Sequence, residues 1–136
     1  MRKSVFIVVA SLVSLMANAE LAVVVHPSYA DAISQDDIAK IFLGKAKTFP
    51  NGSPAVPINQ EDSQSATDEF NNKVLGKSST QLKAYWSKLV FTGKGTPPKE
   101  ATNDAQVLEL IANNPNMIGY LDASALSADV KVVARF

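Results

Sequence analysis

The 136-residue chain carries 13 basic and 13 acidic side chains, one histidine and no cysteine. Balanced charge supplies no basic footprint for nucleic acid. The absence of cysteine excludes disulfides, thiol catalysis and lipidation at a thiol, and a lone histidine without carboxylates at ligand spacing predicts no metal site and no cofactor.

Residues 1–3 are positively charged, residues 4–16 are almost wholly apolar, and Ala17-Asn18-Ala19 has the small-x-small form of a signal-peptidase site. Residues 1–19 are therefore expected to be a signal peptide and residues 20–136 the mature protein, one domain with one modest core. The apolar run falls short of the roughly 18 residues a membrane span needs. The expected product is periplasmic and soluble, with no membrane insertion. Loss of Arg2 and Lys3 leaves it with two net negative charges.

Residues 21–25, Leu-Ala-Val-Val-Val, are apolar without alternation, which predicts a strand covered on both faces. His26-Pro27 ends it. Ser34 and Asp37 have capping-box spacing ahead of a helix bearing Ile38, Ile41 and Phe42 on one face, with Gly44 as its stop. Pro50-Asn51-Gly52-Ser53-Pro54 reads as a turn. A short strand over residues 55–58 then runs through Asn59-Gln60-Glu61-Asp62-Ser63-Gln64-Ser65 into a second helix, with Ser65 and Asp68 at capping-box spacing and Gly76 closing it. A strand whose carboxyl end feeds a helix amino terminus is an anion-binding arrangement.

Ser78 and Gln81 offer a third capping box, before Leu82, Tyr85, Trp86, Leu89 and Val90 at helical period. This is the clearest amphipathic stripe in the chain and predicts core packing, with one of the two adjacent rings at the margin of the core. Residues 92–99 read as a loop. They hold two glycines but lack the spacing of a nucleotide-binding loop, and Lys94 alone establishes no anion site. Thr102 or Asn103 caps a fourth helix carrying Val107, Leu110 and Ile111. Strands over residues 117–121 and 130–134 follow, with a short helical turn or loop between them. Four strands and four helices in this order predict an α/β fold.

Three segments together resemble the phosphate-type periplasmic substrate-binding proteins of ABC transporters: residues 34–45 with the following Pro-Asn-Gly turn, the polar junction at residues 59–70, and Asn114-Pro115-Asn116-Met117-Ile118-Gly119-Tyr120. The resemblance implies a single lobe of the type II periplasmic-binding-protein-like fold, a mixed sheet flanked by helices, in a family whose full members are two-lobed clamps. It implies a non-enzymatic exported protein that binds phosphate or another small anion, with an ABC permease, an envelope sensor or a second copy as partner. Counted back from Phe70, the family's Arg falls on Gln60, its Asp on Asp62 and its Ser-Gly-Thr on Gln64, Ser65 and Ala66. Moving the register by one residue offers Ser65 and Thr67 instead.

The implied ligand residues are Gln60, Asp62, Ser63, Gln64, Ser65 and Thr67, with His26 as a second contact because it follows the first strand. Replacement of Arg by Gln60 removes a permanently charged fork. Asp62 repels a fully ionised phosphate, yet accepts a hydrogen bond from the hydroxyl of a monohydrogen phosphate. No nucleophile elbow occurs, so no acyl-transfer chemistry is expected. The alternative is a periplasmic interaction or sensory module whose anion site is vestigial, marked by an exposed aromatic margin around Tyr85, Phe91 or Tyr120.

Overall fold

The computed structural model describes residues 20–136, so the expected leader over residues 1–19 lies outside the described residues. Five strands form one mixed sheet: β1 (Leu21–Val25), β2 (Val56–Gln60), β3 (Lys99–Ala101), β4 (Met117–Asp122) and β5 (Lys131–Arg135), in the order β3-β2-β4-β1-β5. The strand β2 runs parallel to both of its neighbours, β3 and β4, whereas β1 is antiparallel to β4 and β5.

Every residue of β1 is buried. Its odd positions, Leu21, Val23 and Val25, join Ile38, Phe42, Phe70, Ile118 and Tyr120 on one face, while Ala22 and Val24 join Ile58, Val107, Ile111 and Leu121 on the other. An uninterrupted apolar run is what a strand with helices over both faces requires. One face is covered by α1 (Gln35–Phe42) and α2 (Ser65–Phe70), and the other by α4 (Asp104–Asn113). Gly119 admits α4 to close approach, since a Cβ there would lie 2.9 Å from Val107 Cγ1.

Three of the four α-helices are capped as their sequences predict. Ser34 accepts from the Asp37 N–H, Asn103 accepts from the Gln106 N–H, and Ser78 and Gln81 form a reciprocal capping box that opens α3 (Ser79–Phe91). Because Ser78 is exposed and its bond to Gln81 N is local, Ser78→Ala is expected to remove about 1 kcal/mol, read as a fall in Tm of about 4 °C. No change would mean that tertiary contacts alone hold α3.

Two expectations are corrected. The loop over residues 92–99 ends in β3, a three-residue edge strand that pairs with β2. The amphipathic stripe of α3 does not enter the core: only Leu82 is buried, Tyr85 and Trp86 are half-buried, and Phe91 is 92% exposed. The helix lies beyond α2, anchored by the Tyr85 hydroxyl, which donates to the Leu43 carbonyl at 2.7 Å, and by Trp86 against Gly44. Between Leu75 and Leu82 it leaves a cavity rather than a packed seam. Gly44 and Gly76 sit past their helix ends at φ 73° and 65°, where a side chain would be strained.

Candidate functional site

The carboxyl end of β2 delivers the chain to an exposed corner. Asp62, Ser63 and Ser65 are exposed there, Gln64 is half-buried, and α2 begins at Ser65. Ser65 is not the cap that its spacing with Asp68 suggests. Gln64 occupies the capping position in extended conformation, φ −83° and ψ 134°, and its side chain makes no capping bond. The Gln64 carbonyl accepts from Thr67 N, which leaves the Ser65 and Ala66 N–H groups without a backbone acceptor. Open donors at a helix start carry partial positive charge outward. Among the described residues nothing engages the Ser63 or Ser65 hydroxyl.

One cation reaches the corner. Lys83 from α3 places Nζ 3.4 Å from Asp62 Oδ2, with side chains 72% and 51% exposed. An exposed pair of this kind adds little to stability and is screened by salt, so Lys83 can leave Asp62 for another anion at small cost.

Gln60 and Thr67 do not face that corner. Side chains of a strand alternate; Gln60 therefore shares the face of Ile58, beneath α4, where its Nε2 donates to Asp104 Oδ1 and to the Tyr120 carbonyl, both at 2.8 Å. It is fully buried. Thr67, also fully buried, donates its hydroxyl to the Glu61 carbonyl at 2.9 Å and ties the loop to the helix. Both are supports of the corner rather than surfaces of it.

His26 is placed elsewhere. Antiparallel pairing sets Val25 opposite Ile118 at the start of β4, so the end of β1 points away from the end of β2, on the order of 15 Å along the sheet. His26 Nδ1 instead bonds the Ser28 hydroxyl at 2.7 Å. The expectation that strand ends share one crevice fails because β1 runs opposite to β2 and β4.

Asn59 is the residue that sequence counting missed. It alternates with Ile58 and Gln60 onto the α2 face, where the Tyr120 hydroxyl donates to its Oδ1. That hydroxyl also accepts from Gln60 N at 3.1 Å. Burial pushes the Tyr120 phenol up to about 12, against the nearby Thr67 side chain and the Gln60 N–H, which lower it, and the Glu100 and Asp62 carboxylates add to the rise. The group is thus a neutral donor that fixes the last turn of β2. The alternation of a buried Ile58 was the available signal for Asn59.

Beside the corner, between α3 and the sheet, lies a cavity of about 650 Å³ walled by Phe42, Phe70, Leu75, Leu82 and Trp86, with Asp62, Lys83 and Glu100 also on its lining. Tyr120, fully buried, is no part of an exposed aromatic margin; Phe91 is fully open to solvent with the exposed Val90 beside it, and Tyr85 is half-buried. Among the described residues no group of His, Asp and Glu side chains is placed to hold a metal ion, and no helix is long and apolar enough to cross a membrane.

Comparison with known proteins agrees with this fold. A family model described as a PBP superfamily domain matches residues 11–135. No curated protein matches the chain. Among solved structures, a phosphate ABC transporter substrate-binding protein of Clostridium perfringens, solved with bound phosphate, superposes with a TM-score of 0.66 at 20% identity over 85% of this chain and 45% of that one. An ABC-type phosphate transport receptor of Vibrio cholerae gives 0.63 at 15% identity, covering 85% and 46%. PstS of Borrelia burgdorferi gives 0.63 at 14%, covering 85% and 47%. The chain thus spans less than half the length of each of these proteins. With a family model across nearly all of its residues and the fold of one part of the PstS-type phosphate-binding proteins, the chain belongs to the PBP superfamily.

Proposed function

We propose that this chain is a non-enzymatic binding lobe for a small oxyanion of the phosphate class, held at the corner between β2 and α2. The observation that carries the reading is the uncapped start of α2, whose Ser65 and Ala66 N–H groups point at no protein acceptor beside two unengaged hydroxyls and Lys83. Backbone donors at a helix start suit an anion without needing a buried arginine, which fits the inward placement of Gln60. Asp62 accepts a hydrogen bond from the hydroxyl of monohydrogen phosphate and disfavours sulfate, which has no hydroxyl to donate. The solved proteins that share the fold, one of them holding phosphate, support the same ligand class. In this reading residues 1–19 export the chain, residues 20–136 act as one domain in the periplasm, and an ABC permease or an envelope sensor reads the loaded state.

Ser65 stands at the first helical position and Gln64 is already extended. Proline is accepted there. Ser65→Pro therefore deletes an N–H and a hydroxyl together while keeping the helix. Calorimetric titration of residues 20–136 with phosphate, sulfate and acetate at fixed ionic strength is expected to show micromolar phosphate binding, weakened about 100-fold in Ser65→Pro by the loss of two donors at ~1.5 kcal/mol each. Heat absent with every anion up to millimolar concentration sinks the reading.

A second reading, a protein-interaction module, has one observation of its own: Phe91 and Val90 at the end of α3 are 92% and 54% exposed. Retention of an envelope protein by the native chain, lost on Phe91→Ser, would favour it.

A further inference from the structure

We propose that the cavity under α3 is a second binding site, for a small aromatic molecule that bears a hydroxyl or amine donor and no acid group. Of the corner's residues Asp62 and Lys83 reach it; Ser63, Gln64 and Ser65 do not line it. Its volume of about 650 Å³ lies within the ~300–1,000 Å³ typical of small-molecule sites. Phe42, Phe70, Leu75, Leu82 and Trp86 supply an apolar wall suited to a ring.

The second observation is a polar one. Asn71 lines the same cavity, is 2% exposed, and its Oδ1 has no hydrogen-bond partner. Its Nδ2 reaches Ser79 Oγ only at 3.4 Å, long for a hydrogen bond. An unpaired buried amide carbonyl costs about 1–3 kcal/mol in desolvation, and a ligand N–H or O–H removes that penalty. Asn71 also opens a π-helical turn, Asn71–Leu75. This widened turn, rare in proteins and frequent at binding sites, sets Asn71 and Leu75 on one wall beside Phe70.

Charge at the lining excludes acids. The two carboxylates of Asp62 and Glu100 outnumber the one cation, Lys83, on the lining, so its net charge is negative whether or not Lys83 stays on Asp62. A carboxylate ligand meets net negative charge there and offers Asn71 Oδ1 no donor. An alcohol does neither.

Trp86 is the sole tryptophan of the chain and part of the cavity wall, and because it also borders a groove beside Gly44 and Lys94, its emission is assigned to this site through Asn71 and Ser87, which line the cavity and not the groove. The test is a titration of residues 20–136 with 2-phenylethanol and with phenylacetate, which share a ring and differ in the polar end. The alcohol is expected to shift Trp86 emission with saturation in the high-micromolar to low-millimolar range, as far as about nine non-hydrogen atoms allow. The acid is expected to bind about tenfold or more weaker. Asn71→Leu, checked for fold by circular dichroism, should weaken the alcohol about tenfold. Ser87→Phe, at an exposed cavity-lining position of α3, should block it without disturbing the core. The proposal is overturned by no saturable shift up to about 20 mM alcohol, by equal or tighter binding of phenylacetate, or by unchanged affinity in both variants. It is equally overturned by a dimer that Phe91→Ser abolishes and that excludes the alcohol, since the occupant is then a second copy.

Discussion

Phe70→Ala is expected to remove about 3–5 kcal/mol of stability, a large share of the roughly 5–15 kcal/mol that a domain of this size possesses. Phe70 is fully buried and its ring stacks on Tyr120 with centroids 4.1 Å apart and planes 6° from parallel, while Phe42 packs on it at 4.6 Å and 59°. Three rings thus meet where α1, α2 and β4 converge. Truncation there leaves a gap that the π-helical turn on one side and the sheet on the other cannot both close. Urea unfolding should show a lower midpoint with an unchanged slope. A loss under about 1 kcal/mol would show that α2 can settle onto the sheet and close the gap. Because Phe70 is also a wall of the cavity, Phe70→Leu, which keeps most of the volume, is the better variant for ligand work.

How far the sequence foretold this structure depends on whether the deciding force is local. The caps at Ser34, Ser78 and Asn103 and the glycines at 44 and 76 act within a turn of the chain, and all were readable. The run at residues 21–25 was readable as a doubly covered strand because burial on both faces leaves no alternation. The edge strand β3 was not readable, since Lys99 and Glu100 are polar and follow two prolines; it is a strand only because β2 offers it a parallel edge. Strand direction was likewise invisible, and His26 was misplaced for that reason. At the candidate site, Asp62, Ser63, Gln64 and Ser65 were named by resemblance, and the fold places them at one corner. Gln60 was counted into it because linear register ignores the period of two that turns it toward Asp104. Asn71, a polar residue buried in a helix turn, gave no local signal at all.

Tyr120→Phe tests whether the corner depends on a buried hydroxyl. The substitution keeps the stack on Phe70 but deletes the bonds to Asn59 Oδ1 and from Gln60 N. Gln60 N retains Asn59 Oδ1 as an acceptor at 3.0 Å, so the expected loss is about 2 kcal/mol near neutral pH. A stronger signature lies at alkaline pH. Unfolded, the phenol ionises at 10.0; folded, burial raises it to about 12. Below 10 both states hold the proton and the contribution of the neutral buried phenol is complete. Between 10 and 12 the unfolded chain has released a proton that the native protein keeps, so stability falls as pH rises, with a slope that approaches ~1.4 kcal/mol per pH unit. Tyr120→Phe should lack that component of the slope, and the two proteins should converge in stability toward pH 12 because the variant starts lower and falls less. Parallel curves would falsify the assignment of a buried, raised phenol. Convergence would tie the end of β2, and with it the geometry of Asp62 and the open start of α2, to one neutral hydroxyl on the neighbouring strand.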